Sequence, residues 1–192
     1  MLNVALMEEW AIINGDSSAH PDMFDGLNVQ ITSNIEDLTG NPLALSAITT
    51  VERHIVTVGG KPQCIVMSYR DLQKFNELIF SSFYRLFQAG AGTLADIPSG
   101  ISVTRWVSPY GIVDVIGSRY IVPDASNKDF VLVLDDKTVL EDGNAIQMVD
   151  LMPLSAIDLA LLQTAYRTIV LEFTVLQLTC EKFQGKLINV GP

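Results

Sequence analysis

The chain has 192 residues, enough for one large domain or two small ones and for a sizeable buried core. Apolar residues make up an ordinary 48%, but charged residues only 18%, and mean hydropathy is +0.31. No uncharged run is long enough for a membrane span and no signal-peptide pattern opens the chain, so the surplus apolar surface is expected between subunits rather than in lipid. A formal net charge of −10 argues against a nucleic-acid reader, which needs a basic patch for phosphates. Two isolated cysteines make no disulfide framework, so a reducing cytosol is the simpler setting.

Residues 2–13 carry Leu2, Ala5, Leu6 and Ile13 on one stripe and predict a helix with no N-cap. Asn14-Gly15 reads as its C-terminus, with Gly15 in the left-handed conformation. A turn-rich loop follows, punctuated by Pro21 and Asp25-Gly26. Leu27, Val29 and Ile31 alternate and predict a short strand or extended segment over 27–35. Asn41-Pro42 marks a helix start, and the spacing of Leu45, Ile48, Val51 or Glu52, Ile55 and Val58 predicts a helix over 43–58, closed by Gly59-Gly60. Residues 63–68 read as a buried strand. Ser68 with Asp71 gives a capping-box-like start to a helix running to about residue 87.

Residues 88–100 are glycine-rich and read as a flexible loop. Strands are expected at 101–107, 112–116 and 130–134, with a turn at 108–111. The spacing of Leu154, Ile157 and Leu161 predicts a helix over 154–164. Residues 168–180 and 186–190 are expected to form one long antiparallel pair.

The residues suited to chemistry are few. His20 and His54 have no partner at metal-ligand spacing. Cys64 and Cys180 lie in apolar runs without a nucleophile signature and read as buried structural thiols. Gly90-Ala91-Gly92 and Gly59-Gly60-Lys61 match neither a dinucleotide fingerprint nor a P-loop. The pairs Asp135-Asp136 and Glu141-Asp142 read as solvated turns. Phe75, Phe80, Phe83, Tyr84 and Phe87 read as core, and Trp10 and Trp106 carry no clear role. No catalytic, cofactor-binding or metal-binding residue is assigned, no cofactor is implied, and the chain is expected not to be an enzyme.

Four stretches together resemble the major capsid proteins of tailed bacteriophages, with the Hong Kong 97-type fold. They are Ala-Ile-Ile-Asn-Gly-Asp at 11–16 with Phe-Asp-Gly-Leu-Asn at 24–28; residues 43–58 with 64–72; residues 101–122; and residues 170–176 with 183–189. The resemblance implies an α+β capsid fold. Residues 1–40 would hold the end of the spine helix and a peripheral-domain segment, 41–150 the axial domain, and 151–192 the return strands of the peripheral domain.

The family's N-terminal arm, extended loop and most of its spine helix would precede Met1. The chain is therefore expected to be a fragment, a defective prophage product or a shortened form. The implied function is a structural subunit of a phage or prophage capsid, self-assembling through pentamers and hexamers into an icosahedral head that holds DNA. Scaffold or decoration proteins are further partners, with no membrane or sequence-specific nucleic-acid contact. The implied location is the virion, and the bacterial cytoplasm before assembly. The alternative is an encapsulin-like compartment. A small α+β enzyme or ligand-binding domain is a distant third.

Overall fold

The computed structural model describes residues 2–88, 104–141, 143–158 and 168–192. The chain divides into two compact units: Ile31–Thr138 with Cys180–Pro192, and Met1–Gln30 with Val139–Thr179.

The first unit is built on a six-stranded mixed sheet in the order β1-β10-β5-β2-β4-β3. The strands are β1 (Ile35–Asp37), β2 (Cys64–Ser68), β3 (Arg105–Ser108), β4 (Gly111–Ser118), β5 (Asp129–Leu134) and β10 (Gly185–Val190). β2 and β4 run parallel, which requires a crossover, and α4 (Tyr69–Gln88) lies in that connection. α3 (Leu45–Thr57) places Ala47, Ile48, Val51 and Ile55 in one core with Ile65, Met67, Phe75, Val113, Val131 and Leu187. These are the positions set by a period near 3.6 on the helix and of 2 on the strands. Trp106 packs edge-on against Phe75, ring centroids 5.6 Å apart, which gives this tryptophan a core role.

Ser68 caps α4 as expected, its hydroxyl accepting from the Asp71 N–H at 3.2 Å. α3 starts differently from expectation. Its N-cap is Ala44, without a side-chain bond, and Pro42 instead bridges to Gly191. Beyond Gln88, the loop expected at 88–100 falls outside the described residues, as do 101–103 of the first expected hairpin strand.

The second unit holds α1 (Leu2–Asn14), α2 (Leu27–Gln30), the short pair β6 (Val139–Leu140) and β7 (Gly143–Asn144), and a long hairpin of β8 (Ile146–Asp158) and β9 (Thr168–Leu178). α1 ends as predicted, but for another reason. Gly15 is outside the left-handed region. A Cβ there would sit 2.2 Å from the Phe24 carbonyl oxygen, and one on Gly26 would sit 2.4 Å from that of Ala11. The two glycines let the ends of the 16–25 loop touch backbone to backbone, with Gly26 N–H donating to the Gly15 carbonyl at 2.9 Å.

Three expectations are corrected. Residues 27–30 are helical, not extended. Leu27 and Ile31 sit one helical turn apart as well as at alternate positions, and the Gly26 carbonyl accepts from Val29 and Gln30 N–H to close the turn. Residues 154–158 belong to β8, not to a helix, and 159–164 lie outside the described residues. The β-branched and aromatic run of β9 pairs with β8 as far as Asp158↔Thr168, overriding the local helical spacing. Register shifts on either side of Met152 accommodate Pro153 in the strand.

Finally, β9 does not pair with β10. β10 enters the other sheet between β1 and β5, and with it residues 180–192 leave the group expected at 151–192. Long-range polar contacts hold it there. Glu181 accepts from Thr32 and Ser33, and the Gln184 side chain exchanges two hydrogen bonds with the Asp135 backbone.

Candidate assembly surfaces

The residues singled out for chemistry do not converge. His54 lies on α3 and His20 on the loop after α1. Cys64 is buried in β2, and that burial pushes its thiol up to about 12, far from a reactive thiolate. Cys180 is only half-buried, unlike the expected core thiol. Asp135 is corrected from solvated turn to buried bracket. It accepts from Lys61 N–H at 2.8 Å, Thr138 N–H at 3.0 Å and the Thr138 hydroxyl at 2.7 Å. Phe80 is exposed, and the side chains of Phe83, Tyr84 and Phe87 lie outside the described set, as does Asp142. Among the described residues no group of three or more His, Cys, Asp and Glu is placed to hold a metal ion. No described helix is long and apolar enough to cross a membrane.

What the fold does present is apolar sheet surface. In the β8–β9 hairpin the odd-numbered residues of β9 share one face with their cross-strand partners. That face carries the pairs Ile157↔Ile169, Met152↔Phe173 and Val149↔Val175. Phe173 is 54% exposed, and Ile157, Ile169, Val149 and Val175 are exposed with it. A two-stranded hairpin is marginal alone in water. Completing the burial of such half-exposed side chains contributes on the order of 1 kcal/mol each.

The six-stranded sheet has its own bare region. Among the described residues β3 pairs only with β4 and stands at the edge of the sheet. The cross-strand pair Val107↔Ile112 is 75% and 60% exposed, and Ile116 continues the same face. Arg105 grips Asp114 at 2.9 Å beside it. Open edges of this kind are templates for pairing with another chain.

Charge is divided as sharply as the chain. Residues 1–30 and 139–179 hold ten carboxylates against Arg167 alone, so nearly the whole net charge of −10 falls on the hairpin unit. The signal was present in the sequence but scattered over two distant stretches. Its effect is visible in a cavity of about 820 Å³ lined by Met7, Glu8, Met23, Phe24, Glu172 and Phe173, among others. Burial, then the neighbouring Glu172 and Asp150, push the Glu8 carboxyl above its ordinary range.

A family model described as SU10 major capsid protein matches residues 1–189. The chain belongs to the SU10 major capsid protein family. The fold is accordingly α+β of the Hong Kong 97 capsid type, and the family is structural rather than catalytic. Among solved structures, the encapsulin of the holo-SrpI encapsulin complex from Synechococcus elongatus PCC 7942 is similar, with a TM-score of 0.66 and 11% identity. The match covers 99% of this SU10-family chain and 64% of the encapsulin chain, and at that identity the likeness is one of fold. A comparison with curated proteins finds no match.

Proposed function

We propose that this chain is a subunit of a self-assembling Hong Kong 97-type protein shell, and that the shell is a phage or prophage capsid. The family match over residues 1–189 carries this reading. The two bare sheet faces support it, because a shell subunit works through broad contacts repeated with copies of itself. On this reading the unit built on the six-stranded sheet is the axial domain, meeting its copies in pentamers and hexamers. The hairpin unit is the peripheral domain. The acidic balance suits a container that must not grip the DNA inside it. Scaffold or decoration proteins would be transient partners, and the protein would pass from the bacterial cytoplasm to the virion.

A second reading, an encapsulin-type compartment, is favoured by the fold likeness to the SrpI encapsulin. Electron microscopy and light scattering of the purified protein test the shared claim, with closed hollow particles as the expected result. A strictly monomeric protein at high concentration would refute it. Nuclease-protected nucleic acid inside particles recovered from the native host supports the capsid, and a stoichiometric protein cargo supports the compartment.

A further inference from the structure

Where β2 hands over to α4, two carboxyl groups and one guanidinium are packed together in the sheet unit. Asp129, at the start of β5, is buried and fully engaged. Its Oδ1 accepts from Arg70 Nη2 at 2.7 Å and its Oδ2 from the Ser68 hydroxyl at 2.7 Å. Arg70 is also committed elsewhere. Nη1 donates to the Asn127 carbonyl at 2.9 Å, and Nη2 donates to the Val190 carbonyl at 3.1 Å.

What remains for Asp71 is an ion pair of 3.5 Å between Arg70 Nε and its Oδ1, too long for a hydrogen bond. Asp71 is 2% exposed, and its Oδ2 has no hydrogen-bond partner. Two buried carboxylates and one guanidinium leave one negative charge uncompensated out of water, which is costly. A proton on Asp71 removes that charge and gives the orphaned oxygen a hydrogen to donate.

We propose that Asp71 is held protonated in this cluster, and that its proton keeps the first turn of α4 seated against the ends of β5 and β10, so that the junction loosens as the medium turns alkaline. Among the described groups, those acting electrostatically on Asp71 are Asp129 from β5 and Arg70 from α4; Ser68, Asn127 and the Val190 carbonyl complete the surroundings as neutral partners. Burial first, and then Asp129, push the Asp71 carboxyl up to about 7. A carboxyl with a raised folded-state pKa binds its proton more tightly when folded. The stabilisation is whole in acid and is lost as pH rises towards that value. This device rests on the fold alone, so its failure would leave the shell reading untouched.

Hydrogen–deuterium exchange of the full chain, assembled or not, tests it. After correction for the intrinsic pH dependence of exchange, protection over the first turn of α4 and the start of β5 should fall about tenfold between pH 6 and pH 8. In Asp71→Asn the fall should vanish. In Asp129→Asn it should move to lower pH, because the neighbouring charge is gone while burial still opposes ionisation of Asp71. Glu52→Gln should leave the local fall in place. Protection that does not change with pH in the wild type, or that falls equally in both aspartate variants, would overturn the proposal.

Discussion

Glu52 shows what one side chain can cost. It stands on α3 among Val51, Ile55 and the sheet, is fully buried, and neither carboxyl oxygen has a hydrogen-bond partner. Burial pushes it up to about 7; the Ser108 hydroxyl nearby works the other way without closing a hydrogen bond. The folded protein therefore carries Glu52 protonated in mild acid, and stability drains away as pH rises from the ordinary carboxyl range towards 7. Glu52→Met should raise stability at pH 8 by about 2 kcal/mol and do little at pH 4. Urea melts at the two pH values check this, and an unchanged or lower midpoint at pH 8 would refute it. The helical spacing around Glu52 was legible in the sequence, but that this position faces inward beside Ser108 depends on contacts over more than fifty residues. The same limit explains Gly15. A helix-ending glycine could be read locally, whereas its contact with Phe24 and Gly26 could not.

At the scale of elements, strands were easier to see than their partners. The apolar runs of β2, β5 and β9 stand out, and α3 and α4 follow their stripes. Pairing is set by distant groups. Glu181, Gln184 and Asn34 draw β10 into the six-stranded sheet and leave β9 to β8. The exposed face of that hairpin was invisible until the pairing was known, because only the register tells which alternate residues share a side. If the face meets a neighbouring copy, Phe173→Ser should weaken assembly while leaving the far-ultraviolet circular dichroism of the subunit intact. Its side chain is more than half exposed, so its loss removes little within the monomer. Sedimentation of wild type and variant at matched concentration reads the effect, and equal assembly of the two would remove the hairpin face from the contact.

Over the whole molecule, composition was fully readable, but its distribution follows from the folding together of two distant stretches. The sheet unit is nearly neutral, with Lys and Arg interspersed among its carboxylates, while the hairpin unit carries Glu8, Glu9, Asp150 and Glu172 with Arg167 as its single cation. Copies brought together through hairpin units repel one another over a distance set by salt, about 30 Å at about 0.01 M and about 8 Å at about 0.15 M. Apolar contact falls off far more steeply with distance. Salt therefore removes the opposition to assembly before it touches the attraction. The assembled fraction should rise with sodium chloride across that range, as followed by light scattering. Salting-out of apolar surface would give the same direction, so a second protein separates the causes. The triple variant Glu8→Gln, Asp150→Asn, Glu172→Gln removes three of the charges and should assemble at lower salt with a flatter dependence. Assembly that strengthens as salt is withdrawn, or a triple variant with the wild-type salt curve, would show that these carboxylates do not face one another between copies.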